Sequence, residues 1–188
     1  MIIKSLAAAA VVLSLASPVC ASDFKVVPHG SFLIDLDTMD DHFSVWRATD
    51  VADVNAVHAH VTLARCGKSK QYACVAHIRV KSGDKAVGIT IMQLKGSGPL
   101  YVVSKGPDDE DQQIYLTPPI AGESFDVGIH WAADGKVGLD LYDAANKEIG
   151  QGFEHHEADL GGPVDTVEVS GSTSEVTIDK LELGTETP

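Results

Sequence analysis

Basic residues are scarce in this chain: 14 Lys and Arg stand against 27 Asp and Glu, a net charge of -13 over 188 residues. The longest basic cluster is Lys68-Ser69-Lys70. Neutralising a phosphate backbone takes a patch or stripe of Lys and Arg, so a nucleic-acid partner is excluded. Cysteine is scarce too, at three residues. There is no C-x-x-C pair and no set of thiols for a thiolate metal cage. G-x-S-x-G, P-loop and dinucleotide fingerprints are missing. Helical periodicity is almost absent beyond the N-terminus, and no repeat of fixed period divides the chain. No later apolar run approaches the about 20 residues of a membrane-spanning helix. What remains is 44% apolar and 22% charged, a globular composition that excludes a disordered or collagen-like chain.

Residues 1–21 carry an address. Lys4 supplies a positive start, residues 6–16 are apolar but for Ser14, and Pro18 ends the run. Val19-Cys20-Ala21 fits small-x-small processing, which predicts a signal peptide cleaved after Ala21 and a periplasmic or secreted product. Ser17-Pro18-Val19 before Cys20 does not match a lipobox. Lys4 is the single charge in that segment, so its loss takes the net charge from -13 to -14. Residues 22–188 suffice for a single domain with a sizeable core. In an oxidising compartment the two remaining cysteines, Cys66 and Cys74, are expected to pair. Strand-like runs flank CGKSKQYAC, which predicts a hairpin closed at its tip by that disulfide.

Period two dominates the mature chain. Phe125, Val127, Ile129 and Trp131 alternate with Asp126, Gly128 and His130. Val137, Leu139 and Leu141 alternate with Gly138, Asp140 and Tyr142, and Asp134-Gly135 between the two runs is a hairpin signal. Similar alternation covers 57–63 and 87–92, and further strands are expected at 31–36, 42–47, 73–81, 100–104, 112–116, 164–169 and 175–183. About eleven short strands punctuated by Gly, Pro, Asp and Ser predict an all-β fold, an antiparallel β-sandwich or a barrel.

The closing segments, Val167-Glu168-Val169-Ser170-Gly171-Ser172 and Val176-Thr177-Ile178-Asp179-Lys180-Leu181-Glu182-Leu183, resemble the last strands of concanavalin A-like (laminin G-like) jelly rolls. Ile89-Thr90-Ile91-Met92-Gln93-Leu94-Lys95-Gly96 with Pro99-Leu100-Tyr101 resembles the Gln-bearing central strand of polysaccharide lyases of that fold. The resemblance implies a jelly-roll β-sandwich and a carbohydrate or cell-envelope partner. Lys95 stands where the lyase Q-[IV]-H strand has His, and His77-Ile78-Arg79-Val80-Lys81 lacks the acid of the R-x-E-x-R strand. The paired-carboxylate string of glycosidases is missing, with Asp140 alone on its strand.

Candidate site residues follow from chemistry. A β-elimination needs donors that neutralise a uronate carboxylate, a base and an acid. His77 and Arg79 share a strand face with Lys81, and Gln93 and Tyr142 complete the catalytic candidates. Trp46, Lys81, Tyr101 and His130 are the ligand-binding candidates, with Trp46 read as exposed and Trp131 as core. His58 and His60 share a face and form the metal candidate, for zinc or copper, joined by His77 or His130. His155-His156 with Glu154, Glu157 and Asp159 is a second ligand cluster, and calcium would suit Asp108-Asp109-Glu110-Asp111, although that loop lacks D-x-D-x-D-G spacing. No cofactor is required. The expected function is a non-catalytic glycan- or envelope-binding protein. A small polysaccharide lyase is the first alternative, and a structural or interaction protein of the envelope is the second.

Overall fold

The computed structural model describes residues 26–40, 42–67, 69, 73–93, 100–105, 115–116, 124–143 and 156–186. At 26–29, 100–105, 115–116, 142–143, 156–157 and 186 it describes the backbone alone. Residues 1–21, the acidic run 108–111 and residues 154–155 lie outside the described residues.

The described chain is all β. Its strands are β1 (Val26–Asp37), β2 (Phe43–Ala48), β3 (Ala56–Cys66), β4 (Cys74–Ser82), β5 (Lys85–Gln93), β6 (Leu100–Lys105), β7 (Tyr115–Leu116), β8 (Ser124–Trp131), β9 (Lys136–Asp143), β10 (His156–Asp159), β11 (Thr166–Ser172) and β12 (Ser174–Glu186). They form two six-stranded sheets, the first in the order β1-β12-β3-β8-β9-β10 and the second in the order β2-β11-β4-β5-β6-β7. Every pairing is antiparallel.

Alternation decides which side chains meet between the sheets, because successive residues of a strand point to opposite faces. Val57, Ala59 and Val61 of β3 and Phe125, Val127 and Ile129 of β8 are fully buried from the first sheet. Ala76, Ile78 and Val80 of β4 meet them from the second, with Ile89 and Ile91 of β5 and Val167 and Val169 of β11. A register shift between Ile178 and Lys180 places the bulge in β12 at Asp179. That extra residue lets Ile178 and Leu181, three apart in sequence, both face the core.

The Asp134-Gly135 hairpin forms as expected: Trp131 pairs with Val137, and Gly135 takes a φ of 92°. Cys66 and Cys74 are bridged, but not at a hairpin tip. β3 lies in the first sheet and β4 in the second, so the disulfide ties a crossover between layers. Thr173 alone separates β11 of the second sheet from β12 of the first, with a φ of 51° that is unusual for a β-branched residue. The sequence does not predict β10, since His-Glu-Ala-Asp shows no apolar alternation; among the described residues it is an edge strand held by β9 alone.

Candidate functional site

The outward face of the second sheet carries a charged row built across three strands. β11 runs between β2 and β4, and the register aligns Glu168 with Arg47 on one side and Arg79 on the other. Nε of Arg47 donates to Oε2 of Glu168 at 2.7 Å, and Nε of Arg79 donates to Oε1 at 2.6 Å. Nη2 of Arg79 also engages Oε1. The Glu168 side chain is 0% exposed, whereas Arg47 is 49% and Arg79 33% exposed. Burial raises the Glu168 carboxyl pKa. Hydrogen bonds from Arg47 and Arg79, with their charges, more than offset it and hold the group below its ordinary value. Glu168 is therefore a carboxylate at neutral pH and has no proton to donate as an acid. Its physical effect is to hold two guanidinium groups in place.

The next row reads Val45, Ser170, His77, Thr90 and Val103. Nδ1 of His77 and the Thr90 hydroxyl are hydrogen-bonded at 2.8 Å. The Ser170 hydroxyl is buried with no hydrogen-bond partner. Beyond Arg79 the ladder runs through Gly88 to position 105. A Cβ at Gly88 would sit 2.2 Å from the Ile78 carbonyl oxygen and 2.5 Å from Cβ of Arg79, so this close approach of β4 and β5 requires glycine. Lys81 stands one alternation along β4 from Arg79, opposite Thr166 and Ala86.

The structure thus brings His77, Arg79 and Lys81 onto one face, with position Tyr101 entering the row of Val75 and Met92. It does not bring the other two catalytic candidates there. Gln93 pairs with Cys74 and shares the inward parity of Ile89 and Ile91. Tyr142 pairs with Asp126 in the first sheet, across the sandwich. Trp46 also departs from expectation. It is half-buried, packs against the core and lies 5.4 Å from Phe32 between ring centroids. Its ladder partner is Val169, a core residue, so its parity is inward. Phe43, at 56% exposure, and Val45 occupy the outward face instead. Trp131 is core, at 7% exposure.

His58, His60 and His130 lie on the outward face of the first sheet, away from His77. His60 Nδ1 lies 2.9 Å from Asp126 Oδ1, and His58 lies 3.6 Å from both Asp126 and Glu182. His130 lies 3.6 Å from Asp140, and a Cβ at Gly138 would run into its ring. These imidazoles are spread over carboxylate neighbours. Among the described residues no three His, Cys, Asp or Glu side chains are grouped to hold a metal ion. The second cluster cannot be placed, because Glu154 and His155 lie outside the described residues.

A cleft of about 460 Å³ opens at one end of the sandwich, between Val51, Ala52, Val54, Asn55, Trp131, Ala132, Ala133, Pro163 and Val164. It has no titratable side chain in its wall, so the polar face of the second sheet is the better-equipped site.

Arg47 and Glu168 were not singled out from sequence. Their contact spans 121 residues, and that of Glu168 with Arg79 spans 89. The available signal was a lone Glu between Val167 and Val169, which does not name its partners.

Comparison with known proteins places the fold. No family model matches the sequence, and none of the curated proteins does. Solved structures of similar fold include a xylan beta-1,4-xylosidase from Bacillus halodurans C-125, at 10% identity and a TM-score of 0.53. The match covers 81% of this chain and 32% of that one. The CBM2 module of the evolved Dit of Lactobacillus casei BL23 phage J-1 matches at 9% identity and a TM-score of 0.50, over 76% of this chain and 69% of that one. The GH43B protein of a Bacteroides ovatus xyloglucan locus matches at 14% identity and a TM-score of 0.50, over 74% and 29%. The chain spans about a third of the xylosidase it resembles. These likenesses establish an antiparallel jelly-roll β-sandwich.

Proposed function

We propose that the chain is an exported, non-catalytic glycan-binding β-sandwich: a leader at 1–21 and one binding domain at 22–188. Its binding face is the outward face of β2, β11, β4 and β5. The observation that carries this reading is the Arg47–Glu168–Arg79 row. Sugar recognition needs planar hydrogen-bond donors that are already oriented, since ordering a long side chain on binding costs affinity. A buried carboxylate between two half-exposed guanidiniums supplies that order. Phe43 on the same face offers an apolar ring for the C–H face of a sugar. His77 and Lys81 add further polar contacts. The disulfide suits an oxidising compartment. Among the described residues no helix is long and apolar enough to cross a membrane. An elimination mechanism draws less support, because Gln93 and Tyr142 stand on other faces from His77 and Arg79.

A glycan array probed with the mature protein tests the reading. The expected result is binding to a defined glycan set, weakened about tenfold by Arg79→Gln and unchanged by His60→Ala on the opposite sheet. An empty array, or Arg79→Gln binding as the native protein does, would remove it.

A further inference from the structure

We infer that the ligand of this face is an acidic glycan, one carrying carboxylate or sulfate groups along its chain; the inference rests on the glycan-binding reading above. The whole chain carries -13, and a uniformly acidic surface would repel such a polymer. The charge is not uniform. Arg47, Arg79 and Lys81 gather on the outward face of the second sheet. Among the described side chains of β2, β11, β4 and β5 on this face, Glu168 is the one carboxylate, and it is buried between the two arginines. The opposite sheet shows the reverse: Asp126, Asp140, Asp179 and Glu182 surround His58, His60 and His130, with Lys180 the nearby Lys.

The cations are of the right kind and spacing. An Arg fork matches a planar carboxylate or a sulfate with two parallel hydrogen bonds, which a Lys point charge does not. The strands of Arg47 and Arg79 lie about 10 Å apart, and both guanidiniums lean onto the one carboxylate between them, within reach of neighbouring sugar units. Consecutive or alternate acidic groups of an extended glycan would meet the two forks in turn. Gly88 puts no side chain between Arg79 and position 105, leaving the row open on that side.

The test is a binding titration of the mature protein with four probes: polygalacturonate, chondroitin sulfate, neutral dextran and polyglutamate, each at low and high salt. The expected result is that polygalacturonate or chondroitin sulfate binds about tenfold or more tighter than dextran and polyglutamate. That binding should weaken steeply with salt. Arg79→Gln should cost about tenfold. Lys81→Gln leaves the Arg–Glu–Arg row intact and should cost severalfold, with an unchanged circular dichroism spectrum as the folding control. Dextran binding as tightly as the acidic glycans would overturn the inference and leave the glycan-binding reading standing. Polyglutamate binding as tightly would overturn both. Binding to none of the four probes would overturn the inference, while the glycan array decides the reading beneath it.

Discussion

Nε of Arg79 donates to Oε1 of Glu168 at 2.6 Å across neighbouring strands, joining residues 89 apart in the chain. Arg47 approaches the same carboxylate from the other side at 2.7 Å. The pairing sits on the outward face of a sheet yet leaves the carboxylate without exposure. Its energetics and its pH dependence are therefore both measurable.

Replacing Glu168 by Gln removes the negative charge that two arginines share. The arginines remain partly hydrated, so the expected loss is about 2–3 kcal/mol in urea unfolding at neutral pH. The sign of the pH effect follows from the direction of the shift. The folded carboxyl lies below its ordinary value of 4.5, so its stabilisation is complete above that value. It is lost as pH falls through the lower folded pKa, because the unfolded state takes up the proton first. Native protein should lose stability on acidification below about pH 4, and Glu168→Gln should flatten that part of the profile.

Reducing Cys66–Cys74 frees a crossover between sheets. The bridge spans a sequence separation of 8, for which chain entropy predicts about 2.5 kcal/mol. Urea midpoints with and without reductant check this, and the double Cys→Ala variant should behave like the reduced protein.

The two classes of aromatic residue should separate cleanly. Phe125 is fully buried between the sheets, and Phe43 is 56% exposed. Phe125→Ala should cost about 3–5 kcal/mol through the cavity it leaves. Phe43→Ala should change stability by about 0.5 kcal/mol or less while weakening glycan binding.

Gly135 and Gly83 both hold left-handed backbone, with φ of 92° and 58°. A Cβ at Gly135 would also fall 2.3 Å from the Gly162 carbonyl oxygen, whereas one at Gly83 meets nothing within 4 Å. Gly83→Ala should cost about 1 kcal/mol of conformational strain. Gly135→Ala should cost clearly more, because the turn must also move away from Gly162. Thermal unfolding of the two variants compares them directly.

The strands were legible wherever alternation was strong. Phe125 to Trp131 and Val137 to Leu141 show one face of each strand outright, and Asp134-Gly135 marks the turn between them. Edge strands were harder. β2 alternates Phe43, Val45 and Arg47 with Ser44, Trp46 and Ala48, and either set could have faced inward. Trp46 turns inward because its ladder partner Val169 already belongs to the core, while Phe43 pairs with Ser172 on the other face. No pattern within residues 43–48 contains that information. β10 was silent for the same reason, since its four residues are held in place by β9 rather than by their own periodicity.

The amino-acid order alone determined the β class, the face of each strongly alternating strand, the two cysteines that pair and the common face of His77, Arg79 and Lys81. Those features depend on neighbours within a few residues, where backbone geometry imposes a period of two. Which strands lie side by side was decided only when both sheets closed over one core. That closure set Glu168 between Arg47 and Arg79, sent Gln93 and Tyr142 to other faces, and made the disulfide a tie between layers. Burial of apolar area is non-directional and favours whichever pairing covers the most of it. Contacts spanning 89 and 121 residues therefore leave no local trace in the chain that makes them.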